Sequence, residues 1–394
     1  MAVSIHEFET EAAVVLKDLR RGVAQVLGEL PPCTRASDLS TLLGIDRSLG
    51  WKVWTLAQGA STNPSPQHVP GRSGFRAFLD AARRRGATDA CLQEATAAYK
   101  RFQQLSKAHA RDRASAEIML GALTPEGRSR LDLSLRRAAF RANAHFLGVQ
   151  ADTLCQTDLV MPGSGGSMPR ITRVRAHYGL TRMRSGVRWV LGRSALVTPI
   201  GSTACYTRRP LDPEVGADDA PVVGAFSSSP IPVVQRRIVD GVVFQDELDP
   251  GPVGKAGAVD VVLGEIVEDV PPSGEAIDAV TCRISTPCER FCYDVVLHHS
   301  IAACEPPRMD LFSIIHTEYP YVLGERDQIP IVETIEGMGR ADRSAPMPEV
   351  PRHSDLYRWI FKACGEDPSE YEVFRLRMRF PPIPTMVAAH YRLC

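Results

Sequence analysis

Five side chains of the kinds that bind nucleic acid stand close together early in this chain: Arg47, Ser48, Trp51, Lys52 and Thr55. Arginine and lysine neutralise phosphates or donate to base edges, and hydroxyls reach either target. Leu49, Val53 and Leu56 recur among them at i, i+4 and i+7, the spacing of a buried helical face. If that face turns to a core, the five polar and aromatic residues are left outside it. They are the candidate DNA-binding residues.

A second set of chemistry-bearing residues lies near the other end: Cys282, Cys288, Cys292, His298, His299 and Cys304. The residue types suit zinc, but the gaps between the cysteines fit no common ligand knuckle. Buried thiols in a sheet are the expectation, with Cys288 and Cys292 sharing one strand face. His298 and His299 are adjacent, so on a strand they point to opposite faces and do not join one site. Asp294 and Glu289 near His298 are conceivable as acid and orienter, but the sequence alone does not select them for that role. The run Gly163 to Ser167 lacks the Lys-Ser/Thr pair of a phosphate loop, and the chain has no nucleophile elbow, metalloprotease helix or dinucleotide loop. No catalytic residue, metal ligand or cofactor is assigned.

Elements must position these residues. Residues 6–30 have helical apolar spacing and stop at Pro31 and Pro32. Residues 34–43 and 46–57 read as two short helices joined through Gly44, which can take the left-handed conformation of a tight corner. Ile45 plugs the corner, and Asp46 is placed to cap the second helix. Residues 58–72, with Pro64, Pro66, Pro70 and Gly71, read as a linker. Helices follow near 73–85, 88–110 and 125–147, the last with Thr124 as N-cap and Pro125 at its first position. After Gly148 the pattern changes. Segments 153–161, 171–179, 186–197, 259–267, 279–285, 293–299 and 310–317 are rich in β-branched and aromatic residues. Residues 227–232 read as a surface turn, and Trp189 and Trp359 as core residues. A helix near 354–364 and a proline-broken strand near 371–390 end the chain.

The stretch from Thr34 to Ala57 resembles the helix-turn-helix of bacterial transcriptional regulators, in which Leu-Ala-x-x-Leu-Gly-Leu precedes a Ser-Thr-Val-containing recognition helix. The resemblance implies double-stranded DNA as partner, bound as a dimer on a two-fold site. It covers about 24 residues and departs from the pattern twice. Gly50 stands where a branched aliphatic normally packs, and Ser40 where a small Ala is usual. Residues 58–72 do not alternate as a wing hairpin would, so a wingless form is expected.

Composition sets the frame. A chain of 394 residues with a 44% hydrophobic and 23% charged composition is a folded protein of two or three domains. No apolar run has the roughly 18 residues of a spanning helix. The start has no secretion pattern, and ten scattered cysteines suit a reducing compartment, so the expectation is cytoplasmic. The net charge is zero, yet residues 1–210 carry 30 Lys+Arg against 16 Asp+Glu, and residues 211–394 the reverse. Either the basic half meets phosphates or the two halves attract each other. Clusters Arg83 to Arg85 and Arg136, Arg137, Arg141 fit the first reading, and a solvated helix face fits the second.

The expected architecture is α+β: a helix-turn-helix domain over 1–57, a linker over 58–72, a helical domain over 73–148, and a β-rich, mainly antiparallel region over 149–394. The β-rich region would sense a small-molecule or protein effector, bind a partner or form a homo-oligomer. The competing readings are an assembly protein that uses the corner only for packing, and an enzyme with its site in the β-rich half.

Overall fold

The computed structural model describes residues 5–58, 68–121, 125–161, 170–195, 207–239, 243–268, 277–302, 305–316 and 324–392. Thr124, the Gly163 to Ser167 run, Cys304 and most of the proposed linker lie outside them. Helices occupy the first part and strands most of the rest, giving the α+β class expected. The chain divides into two compact units, Met1–Ser134 and Leu135–Cys394.

Unit 1 is built on helices α1 (Ile5–Gly28), α2 (Ala36–Leu43), α3 (Arg47–Gln58), α4 (Arg72–Arg84), α5 (Asp89–His109) and α6 (Arg113–Gly121). Ala12, Val15, Leu16, Leu19, Val23 and Val26 form the buried stripe of α1, as the three-and-four spacing requires. They share one core with Leu39 and Leu43 of α2, Val53 and Leu56 of α3, Phe78 of α4 and Leu92 of α5. Each of the buried Val, Leu and Phe side chains contributes about 1.5–3 kcal/mol through burial. The core is continuous from residue 12 to residue 120, so α2 and α3 share it with the helices after them, where the sequence pattern suggested a break. Proline and glycine at 58–72 mark a connection, and they carry no information about what packs on either side of it. Tyr99 stacks on Phe75 at 4.0 Å and donates its hydroxyl to the Pro70 carbonyl, fixing the entry into α4.

Helix α7 (Pro125–Leu147) contains the division between the units. Unit 2 then runs through β1 (Val149–Met161), β2 (Arg170–Arg182), β3 (Trp189–Ala195), β4 (Thr207–Pro210), β5 (Val234–Val239), β6 (Val243–Leu248), β7 (Val259–Glu268), β8 (Ile277–Ile284) and β9 (Cys288–His298). The short α8 (His299–Ala302), β10 (Arg308–Ser313), β11 (Gln328–Ile329), β12 (Glu336–Arg340), α9 (His353–Cys364), β13 (Tyr371–Arg379) and β14 (Thr385–Arg392) complete it. Seven strands form the main sheet in the order β12-β13-β9-β1-β2-β7-β4, with β1 and β9 parallel and the other pairs antiparallel. A four-stranded sheet, β11-β10-β14-β8, shares a core with one of its faces through Val280, Leu311 and Val387. The three strands β3-β6-β5 add Leu191 and Leu248 to that core. The opposite face packs on α9 through Leu356, Tyr357, Ile360 and Phe361.

The proline-broken segment near 371–390 is two strands in two different sheets. Pro381, Pro382 and Pro384 fall where the chain leaves β13 for β14, since proline cannot donate to a ladder. Strands β5 and β6 escaped the sequence reading because they are short and charged; Arg236 and Asp246 pair across them at 2.7 Å. Trp189 and Trp359 pack against the two cores as expected.

Buried charges tie neighbouring strands of the main sheet together and, through Ser194 and Tyr357, reach two of its covering layers. Asp158 accepts from Arg173 at 2.7 Å and from the Tyr293 hydroxyl at 2.6 Å. Glu265, opposite Arg173 in the β2/β7 ladder, accepts from Arg208 at 2.6 Å and from Ser194 at 3.1 Å. Beneath α9, Asp294 takes both arms of Arg375 at 2.7 Å and a bond from the Tyr357 hydroxyl.

Candidate nucleic-acid interface

The corner of unit 1 follows from a few local bonds. Asp38 accepts from the Arg35 backbone N–H at 3.1 Å and from the Thr34 hydroxyl at 3.0 Å, closing the first turn of α2. The Thr34 bond is the chief cause that holds the Asp38 carboxyl below its ordinary value. Gly44 ends α2 at φ 63°, in the left-handed region, and the Ile45 N–H donates back to the Ser40 carbonyl at 3.1 Å. Asp46 then caps α3, accepting from the Ser48 N–H at 2.7 Å and the Leu49 N–H at 3.4 Å. Gly44, Ile45 and Asp46 thus play the parts their positions suggested.

The two departures from the regulator pattern meet in space. Gly50 faces Ser40 so closely that a Cβ at position 50 would lie 2.0 Å from Ser40 Oγ and 3.2 Å from Ser40 Cα. Ser40 Oγ in turn donates to the Ala36 carbonyl at 2.9 Å. Both residues are buried. Small residues at 40 and 50 let α2 and α3 cross at close range, so each departure compensates the other.

Val53 and Leu56 are fully buried and Leu49 is half-buried, as the periodicity required. Arg47 and Ser48 are exposed, Trp51 is 51% exposed, and Lys52 and Thr55 are half-buried. The five candidates therefore sit along the part of α3 turned from the core, with the first turn most open. Trp51 meets His68 edge-on at 4.9 Å. Arg35, before α2, and Arg72, at the start of α4, are also exposed.

No known protein family and no curated protein matches this chain. The corner therefore has to be judged on its own geometry and charge.

The charge asymmetry of the two halves has a partly internal explanation. Residues 1–134 carry 18 Lys+Arg and 14 Asp+Glu, a modest excess, whereas residues 135–210 carry 12 and 2. Five of the twelve arginines of that second stretch pair with later acids inside unit 2: Arg136 with Glu333, Arg170 with Glu366, Arg188 with Glu247, Arg208 with Glu265 and Arg209 with Glu268. Arg137 lies over the Phe380 ring at 5.9 Å. In unit 1, Arg83 pairs with Asp80 and Asp89 while Arg84 and Arg85 are exposed.

In unit 2, Cys282, Cys288 and Cys292 are buried free thiols, as expected, with burial raising each pKa and that of Cys292 reaching about 12. They do not share a face: Cys288 joins the core of the four-stranded sheet and Cys292 the core beneath α9. Strict alternation slips at this end of the sheet, where Ala151 and Leu154, three apart on the neighbouring β1, also enter one core. His298 and His299 also depart from the strand expectation. β9 ends at His298 and α8 begins at His299, so the rings lie 4.2 Å apart. Asp294 is fully committed to Arg375 and Tyr357, the bonding of a structural ion pair; Glu289 is half-buried.

Proposed function

We propose that unit 1 binds double-stranded DNA through α3, as the reading element of a transcriptional regulator. The observation that carries this is the Gly44 corner followed by an Asp46-capped helix whose open first turn presents Arg47 and Ser48, with Trp51 and Lys52 one turn on. A helix so oriented offers side chains to base edges and phosphates from its N-terminal part. A cavity of about 250 Å³ in the same unit, lined by Tyr99, Phe102, Gln103, Lys107 and Glu117 among others, supports a small-molecule effector. Unit 2 would then supply partner binding or self-association.

A second reading rests on Trp51 and the small net charge of unit 1: α3 contacts a protein, with the exposed indole as its anchor. Selection of duplexes by the full-length chain, followed by anisotropy titration at several salt concentrations, separates the two. Salt-sensitive binding weakened by Arg47→Ala with Lys52→Ala supports the DNA reading. Failure to retain any duplex, or retention indifferent to both substitutions, overturns it.

A further inference from the structure

The antiparallel register of β9 and β13 sets Tyr371 opposite His298 and continues to bring Glu370 beside His299. His299 Nδ1 lies 2.9 Å from Glu370 Oε2, and the His298 ring stands next to that of His299. One donor atom from each of the three residues lies within 4.8 Å of the others. We propose that His298, His299 and Glu370 bind a divalent first-row transition-metal ion.

Two imidazoles and a carboxylate are the donor set such ions prefer, zinc included. Bonds of about 2.0–2.2 Å to a tetrahedral ion place the donor atoms about 3.3 Å apart. His299 and Glu370 are 60% and 50% exposed, so closing the present separation means turning side chains at the surface. His298 Nδ1 accepts from the Ser300 N–H at 3.3 Å and sits 2.8 Å from Ser300 Oγ, which sets its ring, and His299 Nδ1 already faces the Glu370 carboxylate. The Tyr371 ring holds His298 edge-on at 5.1 Å. Three protein donors on an exposed surface leave coordination positions for water or an incoming ligand. The buried cysteines stand apart from this group in the two cores and do not supply its donors.

The test uses the full chain stripped with a chelator and titrated with zinc alone against a chromophoric competitor, then with cobalt(II) followed by absorption. The expectation is one equivalent of zinc bound, weakened at least about tenfold by His299→Ala and by Glu370→Gln, and cobalt bands without an intense thiolate charge-transfer feature. His299→Gln is the reserve variant should His299→Ala melt early. Zinc affinity unchanged in the His299→Ala/Glu370→Gln double variant overturns the proposal. A thiolate band that persists in that variant, or a wild-type chain that binds no zinc, does the same.

Discussion

Ser40 and Gly50 are in such close contact that a Cβ on Gly50 would overlap the Ser40 hydroxyl and press on the Cβ and Cα behind it. Gly50→Ala removes a helix-breaking glycine, worth about 1 kcal/mol in an open helix, yet forces α2 and α3 apart. A net loss of about 1–3 kcal/mol is expected from such overpacking. Ser40→Ala alone should cost less than about 1 kcal/mol, and combined with Gly50→Ala it should recover part of the loss. Denaturant unfolding of the four chains measures the coupling. Strict additivity would show that the helices do not meet as described.

The exposed face of α3 yields a prediction that discriminates between partners. With DNA bound, Arg47→Ala and Lys52→Ala together should flatten the dependence of log affinity on log salt by about 2. Trp51→Ala should lower affinity while leaving that slope unchanged, because an indole neutralises no phosphate. Anisotropy titrations over a range of salt concentrations read both quantities. Loss of a protein partner on Trp51→Ala, with no duplex bound by the parent chain, would select the protein-contact reading.

His177 makes stability depend on pH. It is buried against Thr286, and burial, with Arg175 nearby, lowers its pKa to about 3. The folded chain keeps the ring neutral where the unfolded chain, near 6.5, takes up a proton. Its contribution is therefore complete above about pH 6.5 and falls as the pH drops toward 3. His177→Gln should flatten the stability profile in that window. A profile unchanged by the substitution would show that the ring titrates freely in the folded state.

Asp294 acts at lower pH. Burial raises its pKa, but the bonds from Arg375 and Tyr357, with the His353 ring 3.7 Å away, outweigh burial and hold the carboxyl below its ordinary value. Its stabilisation is present above the unfolded value of about 3.9 and is lost as the pH falls through the folded value. Arg375→Met strands the carboxylate among apolar groups and should cost about 3–5 kcal/mol at neutral pH. Thermal or urea unfolding measures it. A loss below 1 kcal/mol would mean that water reaches Asp294.

Cys282, Cys288 and Cys292 should resist alkylation in the folded chain and react once it unfolds, because burial disfavours each thiolate. Peptide mass spectrometry after brief iodoacetamide treatment distinguishes the states. Rapid native labelling of Cys292 would contradict its place beneath α9.

The sequence by itself determined what depends on neighbours along the chain. Three-and-four spacing gave most of the helices but not α6, Gly44 and Asp46 gave the corner, and β-branched runs gave most long strands of unit 2, because each signal lies within one element. Tertiary structure decided what depends on residues far apart. It alone showed that one core runs through unit 1, since packing partners leave no mark on the linker between them. It matched Ser40 with Gly50 across a helix crossing, where the pattern registered only two separate departures. It resolved part of the basic excess of residues 135–210 into ion pairs inside unit 2, because formal charge counts ignore who stands opposite whom. And it brought His298 and His299 together with Glu370, because a strand's alternation ends where the strand does, and β9 stops between the two histidines.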